Sequence, residues 1–152
     1  MSNEIGTLVV VVLKARNLID KHFFKQDVYT QITLDGTMKQ THVDVKGGQH
    51  PEWDDELRLT VHESSKKKAR TLEVVCWSKE PRTDEIVGKG EVDISETLKT
   101  GEFDDWVPLT MTDGKQRGEV YLEMTFYAAG PPPAISRRPS KLDPATRLTR
   151  IP

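Results

Sequence analysis

A chain of 152 residues with a formal net charge of -2 is long enough for one domain with its own core. Its longest apolar run, "LVVVVL" at 8–13, is too short to span a bilayer; the N-terminus lacks a basic-then-apolar leader, and the single cysteine, Cys76, excludes an internal disulfide, which together predict a cytoplasmic setting. Residues 129–152 hold five basic residues against Asp143, a net of +4, so residues 1–128 carry -6, a balance that argues against nucleic acid as a partner.

The elements follow in chain order. "TLVVVVLKA" (7–15) reads as a buried strand, and "DVYTQITL" (27–34) as the next. Asp35-Gly36 is a hairpin signal, followed by "MKQTHVDV" (38–45). Gly47, Gly48 and Pro51 punctuate a loop, Trp53 is a large apolar anchor, and "ELRLTV" (56–61) alternates as a half-buried strand. "TLEVVCW" (71–77), "IVGKGEVDI" (86–94) and "WVPLTM" (106–111) continue the series, with one helical turn at "SETLKTG" (95–101) capped by Ser95 and stopped by Gly101. After the Asp113-Gly114 turn, "GEVYLEMTFY" (118–127) places Val120, Leu122, Met124 and Phe126 on one face. Eight short strands and no long helical period predict an all-β fold, an eight-stranded antiparallel β-sandwich. Beyond it the composition turns proline-rich and basic, which divides the chain into a domain over 1–128 and a flexible, disordered tail over 129–152.

Reactive groups do not converge in this pattern. His22, His42, His50 and His62 lack metal-ligand spacing, and there is no CxxC, Walker loop or GxSxG. Cys76, between Val75 and Trp77, reads as a small buried hydrophobe. Gly88 and Gly90 read as strand glycines at a bulge or close contact. The expectation is no enzyme and no cofactor.

The order of landmarks carries a resemblance. "GTLVVVVLKARNL" (6–18), "FFKQDVY" (23–29), "KQTHV" (39–43), "HPEWDDELRL" (50–59), "LEVVCW" (72–77), "DEIVGKGEVDI" (84–94) and "WVPL" (106–109) resemble, in that sequence, the C2 domain. "GGQHPEWDDELR" with "FFKQDVY" is most similar to the C2 domain of fungal ingression-type cytokinesis proteins. The resemblance implies phospholipase-type topology, with a last strand added at the C-terminal end, and three tip loops at 19–27, 45–53 and 77–85. It implies that Trp53 is a structural clamp at the base of the second loop. Calcium-binding members carry about five aspartates in loops one and three, a hard-oxygen cage. Their positions fall here on His22, Asp27, Ser78, Glu80 and Asp84 or Glu85, with Lys79 and Arg82 among them and Asp20 two residues too early. Two ligand positions are lost, and no metal is expected; Asp27 and Asp84 are expected instead in turn chemistry and in ion pairs with Lys25, Lys79 or Arg82.

Three surfaces then compete. The tip offers Phe23 and Phe24 beside Lys21, His22 and Lys25, with Lys46, His50, Lys79 and Arg82 on neighbouring loops, a set suited to an anionic membrane. Phe24 has the alternative role of plugging the end of the sandwich. Lys66, Lys67, Lys68 and Arg70 form a second basic run at the far end, for acidic lipid or protein. The concave face offers Gln40, His42, Asp44 and Arg58, a weakly basic set. The resemblance thus implies a monomeric targeting or scaffold module, peripheral at the inner plasma membrane and at the division site, whose partners are anionic phospholipid and cytokinesis proteins. The competing reading is a protein-interaction module without lipid contact, in which Asp54, Asp55, Glu56, Asp104 and Asp105 meet a basic partner.

Overall fold

The computed structural model describes residues 3–21 and 25–128. The expected disorder of the 129–152 tail lies outside the described residues, as do His22, Phe23 and Phe24. The strands are β1 (Glu4–Arg16), β2 (Val28–Leu34), β3 (Thr37–Gln40), β4 (Glu52–His62), β5 (Thr71–Ser78), β6 (Glu85–Asp93), β7 (Glu102–Thr110) and β8 (Gln116–Ala128). One short helix, α1 (Ser95–Thr100), joins β6 to β7, and a 3₁₀ turn, Lys67–Arg70, precedes β5.

The strand order is β3-β2-β5-β6-β7-β8-β1-β4, antiparallel throughout. β6 and β7 meet at one pair, Lys89 with Thr110, so the ribbon folds there into two four-stranded layers. Leu8, Val10 and Val12 of β1, Ile32 of β2, Leu72 and Val74 of β5 and Val120, Leu122 and Met124 of β8 fill the space between them. The expected sandwich is therefore present, and β8 lies between β7 and β1 as phospholipase-type order requires. Phe126 is the exception on its face, only partly buried against this core.

β1 reads as an unbroken apolar run because it is buried on both faces: Val9, Val11 and Leu13 are as enclosed as their inward neighbours. In register, Val9 stands between Arg58 and Thr125, and Val11 between Glu56 and Glu123, whose long side chains flank the small valines. Further along this outer face Arg16 lies 3.8 Å from the Trp106 ring, and Tyr121 meets the same ring edge-on at 5.1 Å. Gly88 and Gly90 do mark a close approach: a Cβ on Gly90 would stand 2.7 Å from the Pro108 carbonyl oxygen, so β7 can cross β6 only over a bare backbone.

Four local expectations are corrected. The strand expected over 38–45 stops at Gln40, because the Thr41 hydroxyl takes the Thr30 N–H at 3.0 Å and turns the chain; Asp44 returns to the sheet only as an isolated bridge to Val28. Ser95 is not a cap; Ile94 occupies that place without a side-chain bond, and the Asp93 carboxylate takes the Ser95 N–H instead. Gly101 does end the helix, with φ of 90°. Asp104 is no surface acid: it is buried and bonded to the Tyr121 hydroxyl.

The fourth correction concerns the concave set, which is not one face. Gln40 belongs to the β3-β2-β5-β6 layer, where it accepts from Gln31, which in turn accepts from the Trp77 indole. Arg58 lies in the opposite layer beside Glu56, His42 bonds Asp55, and Asp44 is buried.

Cys76 is fully enclosed, and burial pushes its thiol up to about 12. A thiol reagent in excess at mildly alkaline pH should therefore leave the native protein unmodified and react only on unfolding. Fast labelling of the folded chain would show that the core opens at β5.

Candidate functional site

Three loops crown one end of the sandwich: 17–27 between β1 and β2, 41–51 between β3 and β4, and 79–84 between β5 and β6. They hold five cations (Lys21, Lys25, Lys46, Lys79, Arg82) and five carboxylates (Asp20, Asp27, Asp44, Glu80, Asp84), a formal balance of zero. The two signs are used differently.

Every one of the five carboxylates accepts a hydrogen bond from the loops or their strand roots. Asp20 Oδ2 takes the Gln26 N–H at 3.0 Å, and Asp27 Oδ1 takes the Lys46 N–H at 2.8 Å. Asp44 Oδ2 takes the Glu52 N–H at 2.8 Å, where β4 begins. Glu80 Oε1 accepts from the buried Ser78 hydroxyl at 3.1 Å. Asp84 is held twice, by the Tyr29 hydroxyl at 2.6 Å and the Glu80 N–H at 2.9 Å. The carboxylates are thus staples for turns whose backbone donors would otherwise lack partners.

The backbone between them is wound to match. Lys46 sits at φ 59°, a left-handed conformation costly for a side-chain-bearing residue, and Asp27 holds it there. Gly48, at φ 65°, supplies the next reversal without that cost. Gln26, 5% exposed, reaches across and donates to the Ile19 and Gly48 carbonyls, tying the first loop to the second. Trp53 anchors the base, 5% exposed, with its indole N–H on the Val28 carbonyl at 2.9 Å. The expected clamp is thereby in place.

The cations point the other way. All five are exposed, and Lys21, Lys25, Lys46 and Arg82 make no ion pair among the described residues. Lys79 Nζ stands 3.7 Å from Asp84 Oδ2. Val45, next to Lys46, is 64% exposed, the largest exposure of any large apolar side chain described.

These residues do not fit a calcium ion. The ion needs several oxygens converging on one point. The Ser78 oxygen is buried and committed to Glu80, both Asp84 oxygens are engaged, and an ammonium lies beside them. Among the described residues no cluster of three or more His, Cys, Asp or Glu is arranged to hold a metal.

The structure brings Lys25, Asp27, Lys46, Ser78, Lys79, Glu80, Arg82 and Asp84 together at the tip. It sets Lys66, Lys67 and Lys68 at the opposite pole, where the start of β1 meets the end of β4. Arg70 leaves that patch: its Nη1 donates to the His62 carbonyl at 3.1 Å and serves the backbone. Two residues escaped the sequence reading. Gln26 carries no pattern that distinguishes a buried loop amide from a solvated one. Val45 lay inside an apparently alternating segment, where it read as a strand residue.

A family model of the C2 domain matches residues 6–109. Extended synaptotagmin-1 of Pongo abelii is 29% identical over 130 residues, 81% of this chain and 11% of that protein. Ingression protein fic1 of Schizosaccharomyces pombe is 26% identical over 131 residues, 85% of this chain and 47% of fic1. The chain therefore spans about a ninth of the extended synaptotagmin and about half of the ingression protein. Among solved structures, the calcium-bound tandem C2 domains of Extended-Synaptotagmin 2 align with a TM-score of 0.73 over 84% of this chain and 48% of that one, at 22% identity, a likeness of fold.

Two expectations follow from the stapling. Trp53→Ala should cost about 3–5 kcal/mol in urea denaturation, as for other large aromatic truncations, whereas Trp53→Phe, which loses the bond to Val28 and only part of the buried ring, should cost less, about 1–3 kcal/mol. The Tyr29 hydroxyl and the Glu80 N–H hold the Asp84 carboxyl below the usual carboxylate range. A depressed folded pKa gives stability that is present above the unfolded value, about 3.9, and lost as pH falls through the lower folded one. Denaturation midpoints of Asp84→Asn should thus fall less steeply on acidification than the parent's. Parallel profiles would show that Asp84 contributes nothing.

Proposed function

Because the chain belongs to the C2 domain family, we propose that it is a non-catalytic C2 module that docks on anionic membrane without calcium. The observation that supports this is the division of labour at the tip. Its carboxylates are spent on holding the loops, and its cations face outward. Lys25, Lys46, Lys79 and Arg82 would meet lipid phosphates, each contributing about 1 kcal/mol near an anionic surface. Val45, with Phe23 and Phe24 of the first loop, would enter the headgroup layer. Since the formal charge of the loops is balanced, apolar insertion has to supply the larger share of the affinity.

In this reading residues 1–128 are the docking domain and 129–152 an appended basic tail. No described helix is long and apolar enough to cross a membrane, in keeping with peripheral attachment. The cytoplasmic face of the plasma membrane supplies the anionic lipid. Similarity to the ingression protein supports a place at the division site, with cytokinesis proteins as further partners.

Co-sedimentation with phosphatidylserine vesicles tests this. The parent should bind equally in calcium and in chelator, and titration calorimetry should find no site in the sensor range of roughly 10⁻⁷–10⁻⁵ M. Phe23→Ser and Phe24→Ser combined with Lys25→Glu and Lys79→Glu should reduce binding more than reversal of Lys66, Lys67 and Lys68. Calcium-dependent binding would overturn the calcium reading. A parent that ignores these vesicles at low salt would favour the protein-interaction module, whose support is the -6 charge of the body.

A further inference from the structure

The second basic patch has a geometry that the tip does not explain. Lys66, Lys67 and Lys68 are all exposed, and among the described residues none forms an ion pair. The Asp93 carboxyl is held low chiefly by the Ser95 hydroxyl and N–H, and Lys67 lies close enough to add to that effect. The lysine turn is fixed from beneath. Ala69, 3% exposed, plugs into the protein; Arg70 grips the His62 carbonyl, and the Ile94 N–H closes on the Arg70 carbonyl at 2.9 Å. Above the turn the Ser64 hydroxyl takes the Lys66 N–H. A 3₁₀ turn advances three residues per revolution, so consecutive lysines fan outward around the anchored residue.

Segment 63–70 holds four cations against Glu63, a net of +3, while the three tip loops sum to zero. The last described residue, Ala128, lies at the same pole. Ala128 pairs with Gly6, and Gly6 with Val61. The +4 segment after Ala128 therefore starts two strand spacings from β4, about 10 Å.

The poles are far apart. β1 runs the height of the domain, with Glu4 paired to His62 at one end and Arg16 at the other. Its 13 residues at about 3.3 Å each put the lysine turn roughly 40 Å from the tip loops. That is several Debye lengths at physiological salt, about 8 Å each, so neither pole feels the other's partner. With β1 standing along the bilayer normal, a flat bilayer touching one pole cannot reach the other.

We propose that the lysine turn is a second anionic-membrane site, and that a single copy of the domain bridges two apposed bilayers, tip on one and lysine turn on the other. This rests on the tip reading above. The poles differ in kind: the tip combines charge with apolar insertion, and the turn offers charge alone. Bridging should therefore dissolve on adding salt before binding does.

Vesicles of phosphatidylcholine with phosphatidylserine separate the two claims, since co-sedimentation reports binding and dynamic light scattering reports clustering. The parent should do both. Lys66→Glu, Lys67→Glu and Lys68→Glu together should leave co-sedimentation as in the parent and abolish clustering, with an unchanged melting temperature showing that the exposed turn still folds. Moderate salt should return the parent's clusters to single vesicles while protein stays bound. A parent that sediments with vesicles but never clusters them overturns the bridge and spares the tip. A triple variant that still clusters does the same, and a dimeric mass in solution would then identify self-association as the linker. A parent that does not sediment overturns the tip reading, and the bridge with it.

Discussion

The tip of this domain rests on one carbonyl oxygen. The C=O of Val28, first residue of β2, accepts from the Trp53 indole and from the Asp44 N–H, while the Val28 N–H returns a bond to the Asp44 carbonyl. Asp44 then uses its side chain to start β4 at Glu52. The beginning of one layer is thereby tied to the second loop and to the beginning of the other. Remove the indole and the loop loses its floor as well as a bond. The buried ring and the bifurcated carbonyl together decide where Lys46 and Val45 stand.

The same junction shows how the described acids of the tip are engaged within the protein. A carboxylate has a limited number of lone pairs, and a backbone N–H aimed at one of them competes with a cation for it. In a metal-binding arrangement the loops are held by the ion. Here they are held by Asp27, Asp44 and Asp84 acting on backbone and hydroxyl donors. The nearby ammonium of Lys79 sits where added positive charge would be opposed.

How far the sequence revealed this depends on the range of each interaction. Alternation in β2, β5 and β8 is a local signal with a fixed period, so the strand number was readable, whereas the place of β8 in the sheet and the clamp role of Trp53 came with the resemblance to the C2 domain. The end of β3 was not. Thr41 continues the alternating pattern, and only its bond to Thr30, made across the turn, ends the strand. Asp104 reads as a solvated acid until Tyr121 is seen beside it on the next strand. Arg70 belongs to a basic run by spacing and to the backbone of β4 by contact. Carboxylate positions in the loops were legible as residues. Turn chemistry is what the sequence predicts for Asp27 and Asp84, and both serve turns, with Lys79 beside Asp84; the same use of Asp20, Asp44 and Glu80 was not legible, because each partner is a backbone N–H or a hydroxyl that any sequence could provide.

The wound loops also bear on the timing of encounters. Lys46 and Gly48 already occupy left-handed conformations, and Gln26 and Asp27 lock them before any partner arrives. A surface of this kind has little ordering entropy left to lose when it docks. Association need not wait for the second loop to rearrange, so it should run at the rate set by diffusion and by the few outward charges. Residence time then becomes the variable quantity, governed by how firmly the apolar side chains are held once they arrive. On the docking proposed above, such a domain would sample a surface quickly, and its dwell would be prolonged when a second contact holds the same molecule in place.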